Sequence, residues 1–167
     1  RLKDLEKIKS VIYETCLTKK SKVLIPVFAL QRAQCILTYL YDIFGEDKNF
    51  NIPILLDSPL AIKITNIFED ELSDKDKQKI EEVLSWKNLH LLKDFSETEQ
   101  WASSNYPCVF LSASGMMNAG RSVYVASKIL PHASNHIIFC GYSVTGTLAW
   151  KIKQKKSQSS KYPLYRL

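Results

Sequence analysis

What most constrains this chain is the alternation of short, wholly apolar runs with longer amphipathic segments. Val23-Leu24-Ile25-Pro26-Val27-Phe28, Ile52-Pro53-Ile54-Leu55-Leu56-Asp57, Cys108-Val109-Phe110-Leu111 and Ile137-Ile138-Phe139-Cys140 show no polar alternation, and Leu89-His90-Leu91-Leu92 is a shorter fifth run. Strands buried on both faces read this way. Between them lie helical patterns. Leu2, Leu5, Ile8, Ile12 and Cys16 share one face, and Leu30, Ala33, Leu37, Leu40 and Phe44 another, with Gly45 where that helix stops. Ser58-Pro59 is an N-cap followed by proline at the first helical position and predicts a helix to about residue 72. Further helices are predicted over 73–84, capped by Ser73, from the capping box Ser96-Glu97-Thr98-Glu99 to 103, over 121–130 and over 148–154. Such alternation implies an α/β fold, a mainly parallel sheet of about five strands with helices on both faces. Pro26 cannot donate to a ladder, so its strand ends there or lies at a bulge or edge. Residues 155–167 are polar and aperiodic and read as a frayed tail.

The turn after the run at 108–111 carries Ser112, Ser114, Gly115, Met116, Gly120 and Arg121, and leads into a helix. Small residues let backbone approach a ligand, and a helix start offers free N–H groups and positive potential. Arg121 adds a planar donor fork. The stretch suits an anion, a phosphate above all, or is a tight turn with nothing bound. Of the five glycines, 115, 120, 141 and 146 lie in the turns after the last two apolar runs, Gly141 and Gly146 flanking a second turn that ends at Thr147. That concentration singles out one corner of the sheet. Asp57 falls at a strand's C-terminal end, the edge where open α/β sheets place ligands, and with Ser58 it reads as a turn residue.

All 17 acidic residues precede position 100, whereas Arg121, Lys128, Lys151, Lys153, Lys155, Lys156, Lys161 and Arg166 lie beyond it. A one-sided positive field beside a candidate phosphate loop favours a polyanionic partner. The length is that of one domain, spanning 1–167, and Arg1 in place of an initiator methionine gives the expectation of a piece of a larger protein. No apolar run is long enough for a membrane span. The four cysteines lack C-x-x-C spacing and read as buried thiols of a reducing, cytoplasmic compartment. Three scattered histidines give no metal cluster, and neither a nucleophile elbow nor a nucleotide fingerprint is present. No catalytic residue and no metal ligand is assigned within this chain.

Four blocks, in order, carry a resemblance: Val23 to Gln34, Leu55-Leu56-Asp57-Ser58-Pro59-Leu60-Ala61, Ser112-Ala113-Ser114-Gly115-Met116, and Gly141-Tyr142-Ser143-Val144-Thr145-Gly146-Thr147-Leu148. Over about residues 20 to 150 the chain resembles the Rossmann-like β-CASP domain of nucleic-acid-processing enzymes of the metallo-β-lactamase superfamily. The resemblance implies a partner metallo-β-lactamase domain bearing zinc, RNA or alternatively DNA held in the cleft between the two, and hydrolysis of a phosphodiester by zinc-activated water. The zinc motif H-x-H-x-D-H is not in this sequence, so zinc is expected in the parent protein and this piece alone is expected to be inactive. Ser112, Ser114, Gly115 and Met116 match the loop facing that cleft. Arg32 matches an arginine after the first strand, for which a phosphate contact and an ion pair with Asp57 both stand. Tyr142 either stacks on a base or packs internally, and Gln31 replaces a residue that is often glycine in relatives. A non-catalytic assembly or RNA-binding module is the alternative, and a stand-alone binder of a small phosphorylated ligand a third reading.

Overall fold

The computed structural model describes residues 2–64, 74–155 and 164–166. Six strands form one sheet: β1 (Val23–Pro26), β2 (Ile54–Asp57), β3 (Leu89–Leu91), β4 (Val109–Ser112), β5 (His136–Phe139) and β6 (Leu164–Arg166). Their order is β3-β2-β4-β1-β5-β6, and every pairing is parallel. Register places Leu24 beside Phe110 and Leu56 beside Leu111. The fold is the α/β class read from the pattern, with one strand more: β6 pairs with β5 inside the stretch read as a frayed tail. Ladder pairing runs through the backbone, and a strand of 3 residues is too short to show an apolar period.

Helices α1 (Leu2–Ile12), α2 (Arg32–Phe44), α3 (59–64 as described) and α4 (Asp74–Leu84) lie on one side, and α5 (Phe95–Ser103), α6 (Arg121–Ile129) and α7 (Leu148–Lys155) on the other. The side-chain period of two divides β1, β2, β4 and β5 between two cores. Val23, Ile25, Ile54, Leu56, Val109 and Leu111 face the first, against Val11, Ile36, Leu40 and Phe44. Leu24, Leu55, Phe110 and Ile137 face the second, against Ala102, Val125 and Ile129. Both faces being covered explains why the strands carry apolar runs rather than alternation. Pro26 closes β1, which lies inside the sheet between β4 and β5.

Four local readings are corrected. The first helix stays α-helical only to Ile12 and continues as a π-helical segment, Tyr13–Thr18, with Lys19 N–H bonding to the Glu14 carbonyl at 2.9 Å. The wider turn buries Thr15 and Cys16 together and brings Thr15 Oγ1 to His136 Nδ1 at 2.8 Å. Helix α2 begins at Arg32, after Gln31, so Leu30 lies outside it and is exposed. Helix α5 starts one residue before Ser96, capped from Asp94: Glu97 Oε2 accepts the N–H groups of Lys93 and Asp94, each at 2.9 Å. Asp94 and Glu97 have the same three-residue spacing as Ser96 and Glu99, which made the wrong box legible. Cys35 is exposed, whereas Cys16 and Cys108 are buried. The predicted cap at Ser73 and the helix beyond 64 lie outside the described residues. Among those residues no helix is long and apolar enough to cross a membrane.

Phe44 and Phe50 stack at 4.0 Å, with Tyr13 and Trp86 around them. Phe50 is fully buried and anchors the segment that leads into β2. Phe50→Ala is expected to lower the unfolding free energy by about 3–5 kcal/mol in urea titration.

Candidate functional site

The C-terminal edge of the sheet gathers the turns after β1, β2, β4 and β5. At its centre Asp57, fully buried at the end of β2, accepts three hydrogen bonds. Thr98 Oγ1 on α5 donates at 2.6 Å, Ser112 Oγ at the end of β4 at 2.8 Å, and Arg121 Nη1 at the start of α6 at 2.9 Å. The Arg121 guanidinium also donates to the Leu92 carbonyl at 2.9 Å and the Lys93 carbonyl at 2.7 Å. Charge-assisted bonds of this kind are strong when desolvated. Two expected ligand contacts are thereby corrected: Ser112 is buried, and Arg121, with its side chain 13% exposed, is turned inward as the counter-ion of Asp57. Asp57 does more than shape its own turn. Ser58 Oγ accepts the Ala61 N–H at 3.2 Å, which is the N-cap bond expected of it.

Between Ser112 and Arg121 the chain forms a compact loop. The Ala113–Ser114 peptide is cis. Ser114 Oγ donates to the Ala119 carbonyl at 3.2 Å, while the Ser114 carbonyl accepts from Ser122 Oγ at 2.8 Å and Met117 N–H at 3.1 Å. Gly120 has φ of +84°, and a Cβ there would sit 2.9 Å from the Ala113 carbonyl oxygen. A Cβ on Gly115 would meet the Phe28 ring at 2.9 Å. The loop therefore packs directly on the turn after β1. Met116 joins it to the second glycine turn: its sulfur accepts the Val144 N–H at 3.4 Å and its carbonyl the Ala149 N–H at 3.2 Å. Thr147 closes that turn, with Oγ1 donating to the Val144 carbonyl at 2.7 Å and accepting from Trp150 N–H at 3.2 Å.

Arg32 and Tyr142 come together here. Arg32 is exposed and among the described residues makes no ion pair, since Asp57 is held by Arg121. Its Nη2 lies 3.9 Å from where a Cβ of Gly141 would be. Arg32, Phe28, Gly115, Tyr142 and Ser143 line one shallow cleft. Tyr142 is 78% exposed, so it does not pack internally. Gln31, just before α2, holds a φ of +58°, a left-handed conformation that glycine would take more readily.

Three participants were not singled out as site residues by the sequence. Lys153, on α7, donates to the Gly141 carbonyl at 2.7 Å and Ser143 Oγ at 2.6 Å. Thr98 was legible only as part of a cap, and Phe28 only as the end of a strand. The exposed Phe28, Leu30, Leu60, Tyr142 and Val144 all lie in turns or helix starts at this edge, a surface more apolar than solvent alone calls for. Burial pushes the Cys108 and Cys140 thiols up to about 12, at Cys140 against a smaller opposing pull from Arg32 and Lys153. Neither is a thiolate at neutral pH. Among the described residues no three His, Cys, Asp or Glu side chains converge to hold a metal ion.

The Beta-Casp domain matches residues 33–152. The chain belongs to the Beta-Casp domain family. It is 33% identical over 149 residues to Endoribonuclease YSH1 of Kluyveromyces lactis, covering 83% of this chain and 19% of that protein. It is 34% identical over 151 residues to Transcription termination factor FttA of Methanocaldococcus jannaschii, covering 86% of this chain and 23% of that one. Against Integrator complex subunit 11 of Danio rerio the figures are 33% over 144 residues, 84% and 23%. The Beta-Casp chain thus spans about a fifth of the length of these relatives.

Two outcomes test the architecture of the Beta-Casp loop. Asp57→Ala leaves the Arg121 guanidinium largely buried without its counter-ion and is expected to cost about 3–5 kcal/mol, read from the urea midpoint; adding Arg121→Met is expected to restore part of it. Gly146→Ala, whose Cβ meets nothing within 4 Å, is expected to cost only the left-handed penalty of about 1–2 kcal/mol, and Gly120→Ala more, because it also meets Ala113.

Proposed function

We propose that this Beta-Casp chain forms the nucleic-acid-holding wall of a zinc-dependent ribonuclease of the metallo-β-lactamase superfamily. The observation that carries the reading is the convergence of the 113–120 loop and the 141–147 turn on an exposed Arg32, which pairs with no carboxylate among the described residues, and an exposed Tyr142. A relative's name, Endoribonuclease YSH1, supports RNA as the polymer. Arg32 contributes a planar fork to a backbone phosphate, Tyr142 an aromatic face to a base, and the backbone around Gly115 a close approach that a side chain would block.

The zinc ions would activate water for attack on the phosphodiester; the described residues do not supply a ligand set for them, so they would be held by the metallo-β-lactamase domain of the parent protein. The apolar surface of Phe28, Leu30, Leu60 and Val144 is the proposed seat of that domain. The four free thiols support a reducing compartment such as the cytoplasm.

The alternative, a non-catalytic assembly module, is favoured by the same apolar surface. Zinc-dependent cleavage of RNA by the full-length protein separates the two, and RNA binding tests the cleft. In the full-length protein Arg32→Ala is expected to weaken binding of single-stranded RNA and to lower the salt slope by about 1, and Tyr142→Ala to cost about 1–3 kcal/mol, with thermal midpoints unchanged. Wild-type RNA affinity in both would remove the cleft reading and leave the assembly one; matched titrations with DNA read the choice of sugar.

A further inference from the structure

The C-terminal edge does not hold all of the positive charge. At the opposite edge, where β1, β4 and β5 begin, a cavity of about 410 Å3 is lined by Lys20, Lys22, Lys128 and His132, with no Asp or Glu in its wall. Its volume falls in the range of small-ligand sites. The basic turn before β1 and the acid-free second part of the chain meet here.

The wall is held in place by hydrogen bonds. Asn135 Oδ1 accepts the Lys22 N–H at 2.8 Å, Asn135 Nδ2 donates to the Ile129 carbonyl at 3.0 Å, and the Lys22 carbonyl accepts the His136 N–H at 3.0 Å. Ser and Asn side chains share the rest of the lining with Ala102 and Ile129; Ser21, Ser104 and Asn135 donate to the Lys19, Trp101 and Ile129 carbonyls, which leaves Ser103, Asn105 and Ser134 as the polar side chains to face an anion.

Lys22 is the decisive residue. It is only 7% exposed, its ammonium donates to the Ser104 carbonyl, and among the described residues it forms no ion pair. A carbonyl leaves part of a three-donor cation unused, and a buried charge without a counter-charge is costly. The simpler account is that Lys22 serves the end of α5, since α5 and α6 both terminate at this edge. Two helix C-termini carry about half a negative charge each, so together they offset about one of the three ammonium groups. Lys19 is not part of the excess, being paired with Glu14 at 2.8 Å. A net positive cavity with hydroxyl and amide donors remains.

We propose that this pocket binds a phosphate group, as a second anion site at the far end of the strands from the cleft and independent of the cleft reading. The probe is pyrophosphate, titrated at constant ionic strength into the full chain while amide resonances are followed. Saturable shifts at Lys20 to Lys22 and His132 to Asn135 are expected, and they should persist in Arg32→Ala, which would be silent here even if the cleft reading failed. Lys20→Glu with Lys128→Glu, both exposed positions, is expected to weaken this binding at least about tenfold, and Lys128→Gln alone by a smaller factor if the double variant fails to fold. A single-stranded RNA that competes with pyrophosphate for these shifts identifies the phosphate as that of a polynucleotide backbone; pyrophosphate binding without such competition identifies a small phosphorylated compound. Absence of saturable shifts at these residues, or equal affinity in the charge-reversed variant, overturns the proposal.

Discussion

The Asp57 carboxylate is the interaction on which the rest of this edge depends. A fully buried carboxylate is tolerable only with a counter-charge and donors, and here the partners come from β4, α5 and α6. Two of them, Ser112 and Arg121, are the residues at which the 113–120 loop leaves the sheet and enters its helix. One acidic group therefore clamps the neck of the loop. The loop's shape is set before any ligand arrives, which is the condition for backbone groups to hold an anion without an ordering cost.

Around that clamp, small residues set distances rather than supplying chemistry. Gly115 lets the loop lie on Phe28, and Gly120 lets it return past the Ala113 carbonyl. Met116 then ties it to the neighbouring glycine turn, which Lys153 pins from α7. The groups left pointing outward are few, Arg32 and Tyr142 foremost, and they stand on turns braced from below.

Strands β1, β2, β4 and β5 were legible because each is buried on both faces, and the edge carrying the candidate site was singled out by where the glycines cluster. The division of labour between the two arginines was not. Arg121 and Asp57 are 64 positions apart, and nothing in a linear pattern distinguishes an arginine that opens a helix toward a ligand from one that turns back to a buried acid. Arg32 carried both readings for the same reason, and the pairing of Asp57 with Arg121 takes away the ion-pair one. Local geometry failed in smaller ways where two solutions share one spacing: the cap of α5 at Asp94 instead of Ser96, and the π-helical turn within an otherwise regular apolar stripe. The exposed Cys35 shows that apolar neighbours in sequence do not place a residue on the same helix face.

The strand order has a consequence for how the molecule is assembled. Helices α1 to α4 cover one side and α5 to α7 the other, yet β4 is inserted between β2 and β1. The earlier part of the chain thus leaves a gap in its own sheet that only the later part fills. Neither part can complete its ladder alone, so ordering of the edge that carries the candidate site depends on contacts far apart in sequence. The stretch that fills the gap, from Gln100 onward, is free of acids, and every acidic residue precedes it. Electrostatic attraction between the two favours that docking.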